Sequence, residues 1–391
     1  YRKNYKDEAE KRLYKRFNEE VDNQGLVHVL RHGINDRGVK IRVAYFRPES
    51  SLNPEVIEKY EKNILTSTRQ FKYSTENENS IDLVLSLNGI PIVAIELKNQ
   101  ITGQSFENGK MQFMYNRNPR ENCFQFNRRF LVYFAVDLYD VEMTTQLRGK
   151  NTFFLPFNQG SNGAGNVGGA GNPENEKGYA TSYLWEKVLV KDVLMDIIQR
   201  YLHVETELKL TNINGIETKR ELKKLVFPRY HQLDVVTRIL ADVKDKGSGN
   251  NYLIQHSAGS GKSNSIAWLA YGLSNLHDSN NTAVFTSIII ISDRKVLDSQ
   301  LQNTISSFDH TIGVVETIGE GKTSKDLLNA INDGKKIIVT TLQKFPVIFE
   351  AIDEVKGKRF AVIADEAHQS QTGSSAKAIR TALADTEAAL K

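Results

Sequence analysis

Hydrophobic and polar positions change period several times along the chain, and the changes predict its elements. Alternating residues predict strands at Leu26–Leu30 and Val39–Phe46, and a hairpin of two strands over Ser80–Lys98 around an Asn88-Gly89 turn. Phe130–Val136 is an unbroken apolar run and predicts a buried strand. Helical spacing covers Tyr5–Val21, Pro54–Ser67 and Tyr183–Leu202, with Pro54 at a helix-starting position. Asn158–Gly178 is rich in Gly and Asn and predicts a flexible surface loop. Further on, Asn251–Gln255 predicts a short buried strand and Ser263–Leu276 a helix. Ser287–Ile291, Lys336–Thr341 and Lys358–Ala364 predict more buried strands. The class is α/β: a mixed-sheet domain over 1–205, a connecting segment over 206–226, and a parallel-sheet domain over 227–391.

Chemistry sharpens this division. Gln255-His-Ser-Ala-Gly259-Ser260-Gly261-Lys262-Ser263 joins a predicted strand to a predicted helix. Its glycines let successive backbone N–H groups curl inward around phosphate oxygens, and the helix dipole adds to that field. Lys262 is then expected to reach the β- and γ-phosphates of ATP, and Ser263 to ligate Mg²⁺. His256 stands where the usual G-x-x-x-x-G-K-[ST] pattern has its first Gly. Downstream, Asp365 and Glu366 follow an apolar strand, with His368 close behind. Asp365 is expected to hold Mg²⁺ and Glu366 to orient or activate the attacking water. This order looks like a RecA-like motor of the superfamily 2 helicase type. That likeness implies an adenine contact for Gln232, a DNA-backbone setting for Arg294, Thr340 and Thr341, and a coupling role for His368.

The hairpin carries a second candidate site. Glu96 and Lys98 share one strand face, and Asp82 lies on the partner strand. D-x13-E-x-K is the pattern of PD-(D/E)xK nucleases: Asp82 and Glu96 to ligate Mg²⁺, Lys98 to steady the water and the phosphate. A strict two-residue turn pairs Asp82 with Ile95 and puts it on the wrong face. A three-residue loop, Leu87-Asn88-Gly89, pairs it with Ala94 and gathers the acids, so the nuclease reading requires a bulged hairpin. Gln112 and Tyr115 are the nearest candidates for an assisting Gln/Tyr helix, at a spacing that departs from Gln-x-x-x-Tyr.

Composition adds limits. With 391 residues, 40% hydrophobic and 25% charged, two or three globular domains are expected. No run approaches the roughly 18 apolar residues of a membrane span, so no membrane partner is expected. Cys123 is alone, which excludes an internal disulfide and points to the cytoplasm. The net charge of +4 permits nucleic-acid binding without demonstrating it. Histidines are scattered, and His28 and His32 fall in sequence that reads as strand. The chain starts at Tyr1 and stops soon after the acidic pair, so an amino-terminal fragment lacking a second motor domain is the expectation.

The order of these motifs resembles the restriction (R) subunit of type I restriction-modification enzymes. The strings that carry it are Glu96-Leu-Lys98, Phe126-Asn-Arg-Arg-Phe-Leu-Val-Tyr-Phe-Ala-Val-Asp137, Phe153-Phe-Leu-Pro-Phe-Asn-Gln-Gly160, Tyr183-Leu-Trp-Glu186 and Gln255–Ser263 with its His256. The resemblance runs from about Asp82 to Ala367. It implies ATP-driven translocation of double-stranded DNA, Mg²⁺-dependent cleavage, and a complex with modification and specificity subunits. The alternative is a superfamily 2 translocase whose amino-terminal domain binds DNA or docks subunits without cutting.

Overall fold

The computed structural model describes residues 1–49, 52–213, 216–292, 304–305, 314–318, 322–341 and 358–365. The chain divides into two compact units, Tyr1–His231 and Gln232–Lys391.

In the first unit a small ribbon, β1 (Ile34–Asp36) with β2 (Val39–Ile41), precedes a six-stranded sheet. Its strands are β3 (Leu65–Lys72), β4 (Ser80–Leu87), β5 (Ile90–Leu97), β6 (Val132–Val136), β7 (Val141–Thr144) and β8 (Leu155–Pro156), adjacent in that order. Only β5 and β6 run parallel, so the sheet is mixed. A parallel pair needs a crossover, and the helix Phe106–Tyr115 lies within it. One face packs Val84, Ala94, Tyr133 and Ala135 against Phe113, Phe124 and Phe154. Burying each such aromatic contributes about 1.5–3 kcal/mol. On a second aromatic cluster, Phe134 of β6 meets Phe157 and Phe227 edge-on.

Several expected elements change. Leu26–His32 is a helix, not a strand, bounded by Gly25 and Gly33 at positive φ. Its first N–H groups are met by Asn127, a hundred residues away, which no local pattern can reveal. His28 and His32 therefore fall one turn apart and their rings stand 4.5 Å apart. The Pro54 helix ends at Glu61, and 65–67 already belong to β3. Tyr183–Leu202 is not one helix: Lys191–Asp196 is α-helical between wider five-residue turns at Leu184–Val188 and Ile197–Tyr201. The glycine-rich loop is closed by hydrogen bonds rather than loose. Gly160 and Ser161 donate to the carbonyls of Gly171 and Gly169, and Asn172 ties it to Tyr139 O and Asn158. Residues 206–213 and 216–226 lie within a long antiparallel ribbon, β9 (His203–Ile213) with β10 (Ile216–Val226), in the first unit.

The second unit holds a parallel sheet of β11 (Ser287–Ser292), β12 (Val315–Ile318), β13 (Ile337–Thr341) and β14 (Phe360–Ala364), ordered β12-β13-β11-β14. β11 is buried throughout, as a strand covered on both faces must be. The helix Lys262–Ser274 packs on β11, β13 and β14 and buries Ile266, Leu269, Ala270 and Leu273. Asn251–Gln255 is not a strand, and Leu253 is 90% exposed. An apolar run becomes a strand only where a neighbour accepts its backbone hydrogen bonds, and none among the described residues does.

Candidate active sites

The hairpin does gather the acids, by a route different from the one expected. Asn88 and Gly89 both have positive φ and form a two-residue turn, with Leu87 opposite Ile90. Beyond it Ser86 faces Pro91 but Leu85 faces Val93, so Ile92 is an extra residue in β5. Neither the flat hairpin nor the three-residue loop is adopted. The bulge advances the register by one, and Val84 faces Ala94, Leu83 faces Ile95. One step further, Asp82 stands across from Glu96 on the same face.

Lys98 Nζ lies 3.2 Å from Asp82 Oδ2 and 3.7 Å from Glu96 Oε2. Asp82 also accepts from the Leu97 N–H at 2.9 Å and from Gln70 Nε2 at 3.2 Å. Burial pushes the Asp82 carboxyl up, but the bonds from Glu96, Leu97 and Lys98 prevail and hold it below its usual value. Glu96 is wholly buried. Burial raises its carboxyl to about 7, with Asp82 adding to the rise and Arg117 opposing it. Arg117 Nη2 donates to Glu96 Oε1 at 2.7 Å, while the buried Glu96 Oε2 accepts from no N–H, and Glu96 is linked to Asp82 carboxyl to carboxyl.

Neighbouring elements hold this arrangement. Phe106, at the start of the crossover helix, donates its N–H to Asp137 Oδ2 at the end of β6. A Cβ on Gly109 would stand 3.2 Å from Ala135 Cβ and 3.6 Å from Glu96 Cβ, so glycine lets the helix sit against the acidic strand. Gln112 and Tyr115 open with Lys98 onto a cleft of about 400 Å³. Gln112 also borders an adjoining cleft of about 540 Å³ with Ser80 and Arg117. Sequence reasoning passed over Arg117, Gly109, Asp137 and Gln70. Asp137 ends the Phe126–Asp137 segment, but nothing local in the sequence marks the other three.

In the second unit Gly259 and Gly261 both have positive φ, and Lys262 opens the helix with Ser263 next to it. Lys262 Nζ lies 3.3 Å from Asp365 Oδ1, just past β14. Gln232 is buried, and its amide donates to the Gly261 carbonyl at 2.8 Å, so it sits on the loop itself. His256 Nδ1 is 3.0 Å from the Ser260 hydroxyl. Thr340 and Thr341 end β13, opposite Ile291 and Ser292. Arg294, Glu366 and His368 lie outside the described residues.

Both donor sets suit Mg²⁺, which takes one or two carboxylates and keeps several waters. At the first, a buried carboxyl oxygen that accepts from no N–H lies beside a second carboxylate. At the second, a carboxylate stands beside the phosphate-loop lysine, which a serine follows.

A mixed-sheet domain with an acidic strand site, then a parallel-sheet domain with a phosphate loop, defines an α/β nucleotide-binding protein with a nuclease-like amino-terminal domain. Residues 2–152 match the type I restriction enzyme R protein N terminus, and residues 231–389 match the SWI2/SNF2 ATPase family. The endonuclease subunit named for type I restriction enzyme MjaVIIIP of Methanocaldococcus jannaschii is 25% identical over 338 residues, 80% of this chain and 30% of its own. The SsaAORF53P endonuclease subunit of Staphylococcus saprophyticus is 23% identical, over 82% of this chain and 30% of its own. The HindI endonuclease subunit of Haemophilus influenzae is 30% identical over 39% of this chain and 15% of its own. In chain order the two matches are the amino-terminal domain of type I restriction enzyme R proteins and a SWI2/SNF2 ATPase domain, and the relatives matched over most of the chain are type I restriction endonuclease subunits. It spans about 30% of the length of the curated relatives that it matches over most of its own length. No helix among the described residues is long and apolar enough to cross a membrane.

Proposed function

We propose that this chain supplies the nuclease and the first motor domain of an R subunit that couples ATP-driven translocation of double-stranded DNA to Mg²⁺-dependent cleavage. The observation that carries the reading is Lys98 Nζ between the Asp82 and Glu96 carboxylates, beneath an open cleft. Asp82 and Glu96 would hold Mg²⁺, which supplies charge neutralisation on the phosphate and a more acidic bound water. Lys98 is close enough to both acids to orient that water and to stabilise charge on the phosphoryl oxygens.

In the second unit Gly259, Ser260, Gly261 and Lys262 would cradle the phosphates of ATP, and Ser263 with Asp365 would hold its Mg²⁺. Glu366 is assigned the water-orienting role and His368 the coupling role. Gln232 serves adenine by bracing the loop or by exchanging its Gly261 bond for the base. Modification and specificity subunits, and cytoplasmic residence, belong to the same proposal. The domain limits 1–205, 206–226 and 227–391 stand as a proposed functional division.

A second reading, a translocase with a non-cutting amino-terminal domain, is favoured by one feature: the ionic groups around Glu96 already neutralise one another. Asp82→Asn in the full-length subunit, assembled with its modification and specificity partners, separates the two. Cleavage is expected to vanish while DNA-stimulated ATP hydrolysis persists. Undiminished cleavage by that variant rules the nuclease site out.

A further inference from the structure

We infer that Arg117 is a positioning residue of the acidic site, gripping one oxygen of Glu96 so that the other stays directed at Asp82 and Lys98. The inference rests on the nuclease reading and deepens it.

Arg117 follows directly on Asn116, which caps the crossover helix, and its side chain is only 3% exposed. The same nitrogen, Nη2, donates to Glu96 Oε1 and to the Ser80 carbonyl, each at 2.7 Å. Ser80 opens β4 two residues before Asp82, and Glu96 lies on β5. One guanidinium therefore fastens the helix end to both strands that carry the acids. Its plane is held against the Tyr73 ring at 5.2 Å, and Nη1 reaches the Tyr73 hydroxyl at 3.5 Å. A planar, rigid fork suits this task better than a flexible ammonium.

The outcome of the grip marks it as more than a structural tie. A buried ion pair kept for stability alone would use the bidentate fork on both carboxylate oxygens. Here Arg117 takes Oε1 alone and leaves Oε2 to the acidic site, 3.7 Å from Lys98 Nζ. The charged or titratable groups around Glu96 and its partner are Asp82 on β4, Lys98 after β5, Arg117 beyond the helix and Tyr73 after β3. Of these, Arg117 bonds Glu96 at Oε1 and Lys98 approaches the other oxygen, Oε2. Partners that orient metal-binding carboxylates typically change metal affinity 10- to 100-fold when removed.

The test is Mn²⁺ titration of the nucleotide-free, full-length R subunit, with Asp82→Asn as the reference, beside metal-free melting curves. Arg117→Met is expected to lower Mn²⁺ affinity by about tenfold or more, with Arg117→Lys recovering part of the loss. Cleavage by the assembled enzyme should fall in the same order. A folded Arg117→Met variant that binds Mn²⁺ as tightly as wild type, or more tightly, overturns the inference. Should Arg117→Met not fold, Arg117→Lys decides: weakened Mn²⁺ binding with a near-native melting temperature supports the role, and wild-type affinity overturns it. If Asp82→Asn leaves the titration unchanged, the nuclease reading fails and takes the inference with it. A response to Asp82→Asn without one to either Arg117 variant sinks the inference alone.

Discussion

Lys98 Nζ stands 3.2 Å from Asp82 Oδ2, and Lys98 is only 9% exposed. A lysine is buried this far only in the company of carboxylates. Lys98→Met removes that charge and leaves two acids facing each other. Cleavage by the assembled enzyme is expected to fall by about 10²- to 10³-fold, the scale for losing one charge-stabilising donor. ATP hydrolysis measured in parallel should hold, and a drop in both would point to misfolding instead.

Glu96 also predicts a pH dependence of stability. Its carboxyl rises from 4.5 to about 7 on folding, chiefly through burial. The folded state thus retains a proton that the unfolded chain has already released. The contribution is complete below pH 4.5 and is lost as pH climbs to about 7. Asp82, held below 3.8, acts in the opposite sense and only in more acid solution. Metal-free melting temperatures of wild type should fall relative to Glu96→Gln across that window. Parallel curves would show that Glu96 is not shifted.

Gly109 lies where the crossover helix meets the acidic strand. Alanine there gains up to about 1 kcal/mol of helix propensity but must fit 3.2 Å from Ala135 Cβ, so its net effect should be small. Gly109→Val adds bulk that the sheet cannot yield to and should cost about 1–3 kcal/mol. Thermal denaturation of both variants measures this. Cleavage should decline with valine, because the displaced helix carries Arg117 at its end.

At the other site Lys262 and Asp365 form an ion pair 3.3 Å long. ATP is expected to replace the carboxylate with phosphate oxygens around the same ammonium. Lys262→Ala should reduce ATP hydrolysis by the assembled enzyme by at least about 100-fold. Lys262→Arg keeps the charge in the wrong shape and should rescue little. Normal hydrolysis by the alanine variant would overturn the assignment of this loop.

The sequence by itself determined what is local. A phosphate loop is a run of backbone angles that Gly259 and Gly261 permit, and the helix beginning at Lys262 follows from spacing along the chain. Glu96 and Lys98 share a face because strand side chains alternate, and the apolar runs of β6 and β11 declare themselves as buried. What depends on contacts between distant residues was not legible. A single extra residue, Ile92, decides whether Asp82 meets Glu96 or faces away, and the turn sequence does not encode it. Leu26–His32 is helical because Asn127 receives its first N–H groups. Arg117 finds Glu96 only because the crossover returns the chain to β4, and a lone arginine after a helix carries no mark of that meeting. Local patterns are set by steric and hydrogen-bonding rules within a few residues. Register, charge pairing and close helix–strand approach are settled by packing, where the cost of burying a polar group selects its partner from anywhere in the chain.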